Sequence, residues 1–299
     1  MKNILSHLLI VCGVLLFSAC DDKESENNGQ SQIEEPKNSL HVASFNIRYD
    51  TDMDLGSRSW AARKKNVVRT ILDNQFDVVG IQEALKNQLT DMQESLDGYV
   101  YIGVGRDDGV SGGEHSAIFY RTDRLEMLDK GNFWYSTTPN KPSYGWDATT
   151  TRRICSWGKF HDKQSGKEFF LFNSHFDHEG ELARTNSAKL LLAKVTEIAD
   201  GAPAFCTGDF NSNANSEVTY ILSNSDLIYD SRTLTQLPPK GPVGTANNFQ
   251  LTGKTSDRID YIYVTKGISV FQYSVITDDI KYNALSSDHF PVLICATID

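Results

Sequence analysis

The stretch "SSDHFPVLICATI", residues 286–298, determines the fold because it joins an Asp-His pair to the last apolar run of the chain. The run "VLICATI" is almost unbroken, which predicts a buried strand. Pro291 stands directly before it, and proline is tolerated at the first residue of a strand but not in its middle. Asp288 and His289 should therefore project from the start of a core strand, where the scaffold is rigid.

Four earlier apolar runs place a polar residue at or near their C-terminal end, and these residues are Asn46, Glu83, His175 and Asp209. The runs predict strands over 40–47, 76–84, 167–178 and 203–211, with a helix between the members of each pair. Two such strand-helix-strand passages indicate two sheets packed face to face with helices outside. Polar residues at strand ends then gather at one rim, where the further strand "RIDYIYV" would add Asp260.

The segment 57–74, "SRSWAARKKNVVRTILDN", predicts an amphipathic helix. Its inward residues should be Trp60, Val67, Ile71 and Leu72, with the basic residues outward. A second helix is predicted over 85–96 and a third over 183–199.

The first 39 residues predict export. Residues 1–20 combine Lys2 with a short apolar run and small residues, which is typical of a signal peptide and too short for a spanning helix. "FSAC" resembles a bacterial lipoprotein box and implies lipidation of Cys20, although Phe17 replaces the usual aliphatic residue. An ordinary leader cut near Ala19 is the alternative. Residues 21–39 are acidic and predict a disordered tether, so we expect display on the outer membrane or cell surface.

Charge restricts the partners of the remaining domain, residues 40–299. The chain has a formal net charge of −10, and the leader (+1) and tether (−4) leave −7 for this domain. A protein that grips nucleic acid nonspecifically normally presents a basic face, so nucleic acid is disfavoured as a partner. Cys155, Cys206 and Cys295 match no zinc pattern and lie in apolar segments, so we expect buried thiols.

Each candidate residue taken alone has an ordinary structural explanation. Glu83 suits a helix start, "GDFNSN" suits a turn built on Asn and Asp side chains, and a lone Asp-His pair is usually solvated. Together they form a set of acid, amide and imidazole groups at the ends of apolar strands, which is hard to explain structurally.

The motifs "SFNIR", "IQEA", "NSHFDH", "TGDFNSN", "DRIDYIYV" and "SSDHFPV" occur in the order and approximate spacing of the endonuclease/exonuclease/phosphatase superfamily. The chain resembles an exported bacterial branch of that superfamily over residues 40–299. The resemblance implies an α+β or α/β four-layer αββα sandwich, with two packed mixed β-sheets and helices outside. It also implies phosphoester hydrolysis with Mg²⁺, for which Mn²⁺ could substitute.

The resemblance assigns roles to individual residues. Metal binding falls to Glu83, a hard carboxylate, and to Asn46, which adds an amide oxygen or positions that carboxylate. Catalysis falls to His175, Asp209, Asn211, Asp260, Asp288 and His289. Asp260 would fix the tautomer of the His289 imidazole. The general base stays open between Asp209 and the His289 pair.

Substrate binding is assigned to Arg48, Trp146 and Arg152. Arg48 replaces an acid that abasic-site nucleases tend to carry two residues beyond the motif's Asn, so it either contacts a phosphate or forms a structural ion pair. Trp146 and Arg152 lie in the aromatic-rich segment 131–153, whose rings either stack on a substrate or pack the loop onto the sandwich.

These observations predict a monomeric phosphodiesterase or phosphatase that acts outside the cytoplasm. Its substrate would be a phosphorylated small molecule, a lipid head group or a sugar phosphate. A nonspecific secreted endonuclease is the alternative within the same chemistry. A catalytically inactive surface lipoprotein that binds glycan or lipid is the alternative of another class.

Overall fold

Two six-stranded mixed sheets pack face to face at the centre of the protein. The computed structural model describes residues 34–253, 255 and 257–299. The first sheet contains β1 (Leu40–Asn46), β2 (Val78–Ala84), β3 (Tyr99–Ile102), β4 (His115–Arg121), β11 (Ile268–Val275) and β12 (Val292–Ile298). The second contains β5 (Leu125–Trp134), β6 (Ile154–Asp162), β7 (Glu168–His175), β8 (Ala204–Asp209), β9 (Ile228–Asp230) and β10 (Asp260–Thr265).

Helices cover the outer face of each sheet. They are α1 (Trp60–Asp73), α2 (Lys86–Ser95), α3 (Glu181–Ala199), α4 (Glu217–Ser223), α5 (Ser231–Leu234) and α6 (Asp278–Tyr282). Apolar residues of α1 and α2 form one cluster with β1, β2 and β4, and those of α3 and α4 form another with β5 to β8 and β10. The predicted four-layer sandwich is therefore confirmed.

The compact unit begins earlier than the predicted domain, since it spans Glu35–Asp299. Ser39, assigned above to the tether, is buried and donates from Oγ to the Pro36 carbonyl (2.7 Å), while Glu35 pairs with His41 (2.9 Å). The signal peptide, Cys20 and the tether up to residue 33 lie outside the described residues. Across the residues that are described, no helix combines the length and apolar character needed to span a membrane.

Helix α1 departs from its predicted amphipathic pattern at two positions. Leu72 was expected inside but is 46% exposed, because the helix turns it past the edge of the sheet-facing stripe formed by Trp60, Val67 and Ile71. Arg63 was expected outside but is fully buried. Its guanidinium donates to backbone carbonyls of neighbouring loops, which replace the water that a cation normally requires.

Strand pairing brings the predicted polar residues to one rim. The parallel pair β1–β2 aligns Asn46 with Gln82, and the parallel pair β7–β8 aligns His175 with Asp209. β10 runs antiparallel to β8, so its first residue, Asp260, stands opposite Asp209. The three predicted buried cysteines are buried and free, as expected.

Candidate active site

Seven of the predicted site residues line one cleft of about 620 Å³ at this rim. They are Arg48, Glu83, His175, Asp209, Asn211, Asp288 and His289. Asn46 and Asp260 lie just beneath, buried, and each hydrogen-bonds to residues of that set. The structure therefore brings together nine of the residues selected from the sequence.

A β-bulge turns Glu83 into the cleft. The register of β2 against β4 shifts between Ile81 and Ala84, and Glu83 adopts a left-handed backbone with φ 67°. A bulge of this kind re-aims a side chain near an active site, and strained backbone is common at functional positions. The Glu83 carboxylate accepts hydrogen bonds from the Asn46 amide (2.8 Å) and from the backbone N–H of Tyr49 (3.1 Å).

Asn46 connects two carboxylates. Its Nδ2 donates to Glu83 Oε1 (2.8 Å) and to Asp209 Oδ2 (3.0 Å), while its Oδ1 accepts from the backbone N–H of Arg48 (3.0 Å). Of the two roles predicted for Asn46, this geometry corresponds to positioning the Glu83 carboxylate.

His289 forms a buried ion pair with Asp260. The Nδ1 atom of His289 donates to Asp260 Oδ2 at 2.9 Å, and its Nε2 lies 3.9 Å from Asp209 Oδ2. Burial alone would lower the pKa of His289, but the Asp260 carboxylate, with Asp209 and Asp288 beyond it, holds that pKa well above its usual value. His289 is therefore a cation whose free N–H faces the cleft.

His175 is in the opposite protonation state. Burial, followed by the nearby Arg153 and Arg106, holds its pKa well below the usual value. The Asn211 amide nitrogen donates to the Phe176 carbonyl (3.0 Å) and lies 3.1 Å from His175 Nε2, which must then accept. The proton is on Nδ1, 3.8 Å from Glu114. His175 is thus a neutral imidazole.

Asp209 lies between the two histidines. Burial and the neighbouring Asp260 raise its pKa to about 7, while His289 and the hydrogen bonds from Asn211 and Asn46 act in the opposite direction. A carboxylate with a raised pKa is suited to taking and releasing a proton near neutral pH.

These residues fit a divalent metal ion. Ligand atoms of Glu83, His175 and Asp209 lie within 4.8 Å of one another. The carboxylates are the better ligands, because His175 Nε2 already accepts from the Asn211 amide. Carboxylates this close repel one another, and a cation held by hard oxygen ligands relieves that repulsion. A second group, Asp209, Asp260 and His289, is less suitable because the His289–Asp260 hydrogen bond already occupies its ligand atoms.

The arginines of the cleft are paired with acids. Arg48 lines the cleft and also forms an ion pair. Its Nε donates to Asp54 (3.0 Å) and lies 4.0 Å from Asp288. Burial raises the pKa of Asp288, although His289 opposes the shift.

Two predicted substrate-binding residues lie elsewhere. Trp146 packs against the hydrophobic cluster under α3, and Arg152 stacks on Tyr144 (4.4 Å) and pairs with Asp107 (3.6 Å). The adjacent Arg153 lines the cleft instead. Arg153 is held there by its hydrogen bonds to Asp177 and His178, whereas Arg152 is held outside the cleft by Tyr144 and Asp107.

Sequence reasoning missed Glu114, Arg106 and Asp177. Arg106 forms a two-pronged ion pair with Glu114 (2.7 and 2.8 Å) on the cleft wall. Burial raises the pKa of Glu114 to about 7, and Arg106 opposes this. Glu114 stands directly before the apolar strand β4. An acid before an apolar strand is the signal that identified Asp288, but Glu114 belongs to none of the recognised motifs.

Comparisons with known proteins agree with this geometry. The profile of the Endonuclease/Exonuclease/phosphatase family matches residues 43–289. A mannosyl-6-phosphatase of Bacteroides thetaiotaomicron VPI-5482 is 42% identical; the match covers 87% of this chain and 100% of that one, with a TM-score of 0.82. A family protein of Bacteroides vulgatus is 37% identical over 88% of this chain and 100% of that one, with a TM-score of 0.81. An uncharacterized protein of Acanthamoeba polyphaga mimivirus is 27% identical over 79% of this chain and 91% of that protein.

Proposed function

The chain belongs to the Endonuclease/Exonuclease/phosphatase family, and from that premise we propose that it is a Mg²⁺-dependent phosphatase or phosphodiesterase for small phosphorylated molecules, sugar phosphates first among them. Family membership and the mannosyl-6-phosphatase relative support phosphoester hydrolysis as the reaction class. The observation that carries the proposal is the Asp260–His289–Asp209 arrangement, in which a charged imidazole and a carboxylate with a raised pKa face the same cleft.

The side chains divide the reaction between them. Asp209 accepts a proton from the attacking water, because its carboxylate is held near neutral pKa by burial. The Nε2 atom of His289 donates to a phosphoryl oxygen, where negative charge develops in the transition state. Arg48 contacts a further phosphoryl oxygen, and Asn211, whose amide donates to the Phe176 carbonyl and to His175 Nε2, holds the His175 ring in place. A new P–O bond forms to the water, the ester P–O bond breaks, and the leaving alkoxide takes up a proton from solvent water.

Glu83, with Asp209 and His175 nearby, would hold the metal ion, which supplies charge neutralisation at the phosphoryl group when bound. Asn46 would keep the two carboxylates at a fixed separation through its paired hydrogen bonds. Mn²⁺ also accepts carboxylate oxygen ligands and is expected to substitute for Mg²⁺.

A sugar phosphate is favoured over nucleic acid as the substrate. The match to the mannosyl-6-phosphatase relative covers 87% of the length of this chain. The cleft arginines Arg48, Arg106 and Arg153 are each paired with a carboxylate, which leaves little excess positive charge for a polyanionic strand.

The test compares hydrolysis of mannose 6-phosphate, a chromogenic phosphodiester and plasmid DNA, each with Mg²⁺, Mn²⁺ or chelator, by the wild type and by His289→Ala. We expect metal-dependent release of phosphate from the monoester that is lost in the variant. Plasmid degradation that weakens steeply with salt would favour the nuclease alternative. Binding of a glycan or lipid without any turnover would favour the inactive lipoprotein.

We further propose that Cys20 carries a lipid that anchors the protein to the bacterial envelope, facing away from the cytoplasm. The lipoprotein box "FSAC" supports this location. Cys20→Ser should move the protein from the membrane fraction to the soluble fraction, and retention in the membrane fraction would contradict the proposal.

A further inference from the structure

One wall of the cleft is built from two segments, 147–153 and 177–183, that are joined by side-chain hydrogen bonds. Asp147 accepts the backbone N–H groups of Leu182 (3.0 Å) and Ala183 (2.6 Å) at the start of α3. Gly180 allows this approach, because a Cβ there would lie 2.5 Å from Asp147 Oδ1. The wall is therefore a defined surface on a helix start rather than a loose loop.

Asp177 holds the inner part of this wall. Its Oδ1 accepts from Thr151 Oγ1 (3.0 Å) and Arg153 Nε (3.2 Å), and its Oδ2 accepts from the N–H groups of Glu179 (3.0 Å) and Gly180 (2.6 Å). Burial opposes ionisation, but these donors lower the pKa of Asp177. With four donors Asp177 is saturated, so it positions the neighbouring groups instead of contacting a substrate.

The outer part of the wall presents a donor beside an acceptor. Arg153 Nη2 donates to His178 Nδ1 (2.7 Å), so the neutral His178 ring carries its proton on Nε2. That N–H lies 3.6 Å from Glu179 Oε1, too far for a hydrogen bond. Both side chains are about half exposed, at 49% and 55%. The other Glu179 oxygen accepts from Thr150 Oγ1 (3.0 Å), and this exposed hydroxyl oxygen can itself accept a hydrogen bond.

The charge of the wall selects a neutral ligand. The positive charge of Arg153 is matched by Asp177, and that of Arg106 by Glu114. Glu179 then leaves the wall with an excess negative charge, which repels a second phosphate. A hydroxyl group can donate to the Glu179 carboxylate and accept from the His178 N–H at the same time.

We propose that Thr150, His178 and Glu179 form a subsite for the hydroxyl groups of a neutral sugar whose phosphate is bound at Asp209 and His289 in the same cleft. The subsite rests on the proposed phosphoester hydrolase function and selects the leaving group. Arg153 and Asp177 are its positioning residues.

The test measures kcat/KM for mannose 6-phosphate and for p-nitrophenyl phosphate, which lacks sugar hydroxyls, with Mg²⁺ present. The quantity compared is kcat/KM for mannose 6-phosphate divided by kcat/KM for p-nitrophenyl phosphate. It is measured in the wild type, in Glu179→Ala and in Glu181→Ala. Glu181 is an exposed acid at the first residue of α3, so its variant is matched in charge change and position along the chain. We expect Glu179→Ala to lower the ratio about tenfold, through a lost hydrogen bond to a charged group.

Each outcome has a distinct meaning. A lower ratio in Glu179→Ala with an unchanged ratio in Glu181→Ala supports the sugar subsite. If the wild type hydrolyses both probes and Glu179→Ala changes both equally or neither, the subsite is wrong while the hydrolase function stands. If the wild type hydrolyses neither probe, the proposed function fails and the subsite fails with it.

Discussion

At the residue scale, two imidazoles facing one cleft differ in charge because their neighbours differ. His289 has a carboxylate at 2.9 Å and is protonated, whereas His175 faces an amide donor and two arginines and is neutral. Environments that separate the pKa values of similar groups mark the division of acid and base roles. His289 is therefore the donor of the pair and His175 the acceptor.

We predict that Asp260→Asn lowers kcat by about 100-fold or more, because His289 loses the carboxylate that keeps it charged and oriented. The double variant Asp260→Asn/His289→Ala should be no slower than His289→Ala alone, since the two residues act as a unit. Steady-state kinetics of the three variants measure this. If the fold-losses in kcat of the two single variants multiply in the double variant, Asp260 does not act through His289.

Arg63 links the loops that carry the catalytic residues. Its guanidinium donates to the carbonyls of Ile47 (2.8 Å), Ser286 (2.6 Å), Arg58 (2.6 Å) and Arg48 (3.2 Å). It thereby fixes the segment after Asn46 against the segment before Asp288.

We predict that Arg63→Met destabilises the fold by about 2–4 kcal/mol, because buried carbonyls lose their donors. We also expect kcat of the folded protein to fall at least about tenfold with KM nearly unchanged, because the catalytic loops shift. Lys65→Met, an exposed change on the same helix, is the control. Denaturant unfolding and kinetics at low temperature separate the two effects. If the folded variant keeps the kcat of the wild type, Arg63 stabilises the fold but does not position the catalytic loops.

The contrast between Arg63 and His289 shows what sequence can predict. His289 follows a motif at the start of an apolar strand, so pattern and resemblance both identified it. The burial of Arg63 depends on carbonyls of Ile47 and Ser286, more than 200 residues apart in sequence. Its position, three residues after Trp60 and four before Val67, is on the buried face, but its charge predicts an outward side chain. Asp177 and Glu114 were missed for the same reason, because their partners come from other elements.

At the scale of elements, the β5–β6–β7 corner is tied by one carboxylate. Asp162, the last residue of β6, is fully buried and accepts from Arg124 Nε (2.6 Å) and Nη2 (3.1 Å). It also accepts the backbone N–H groups of Gln164 and Ser165 in the turn to β7. Burial raises the pKa of Asp162, but these donors outweigh it and lower the pKa below its usual value.

We predict that Asp162→Asn destabilises the protein by about 3 kcal/mol at neutral pH, because Arg124 loses its buried partner. A lowered folded-state pKa contributes stability that is present above the unfolded value of 3.8 and lost as pH falls through the folded value. The difference in unfolding free energy between wild type and variant should therefore be constant above about pH 5 and shrink below pH 3.8. Urea unfolding across this range measures it. A constant difference down to pH 2 would contradict the assignment.

Six of the twelve strands of the described structure were predicted from the sequence, but the direction of the Glu83 side chain was not. The apolar runs and helical periodicity place β1, β2, β7, β8, β10 and β12 correctly within a few residues, because burial on both faces leaves a clear pattern. The bulge at Glu83 depends on the register with β4, and no local pattern encodes it. Trp146 and Arg152 were misplaced because a long loop has no period to indicate which side chains face the cleft.

At the scale of the whole molecule, the two sheets are joined by a polar cluster beneath the active site. Asn173 of β7 donates to the Ile81 and Ala117 carbonyls (both 2.8 Å) of the opposite sheet, and its Oδ1 accepts from Gln82 Nε2 (2.7 Å) and Thr207 Oγ1 (3.1 Å). The sheets approach closely here, since a Cβ on Gly80 would lie 2.2 Å from Thr207 Oγ1. The cluster fixes the relative position of the sheets that carry Glu83 and Asp209.

We predict that Asn173→Leu, which keeps the branching of the side chain at Cγ, lowers the free energy of unfolding by about 3 kcal/mol or more. Both carbonyls then lose the Asn173 donor in the buried interior, and each unsatisfied buried group costs about 1–3 kcal/mol, whereas Gln82 Nε2 keeps Ser44 and the Gly80 carbonyl as acceptors. The exposed change Asn87→Leu on α2 should stay within about 0.5 kcal/mol. In urea the midpoint of Asn173→Leu should fall while the slope stays constant, since the surface exposed on unfolding is the same. An unchanged midpoint would mean that apolar contacts alone set the spacing of the sheets, and Glu83 and Asp209 would then owe their separation to Asn46 rather than to this cluster.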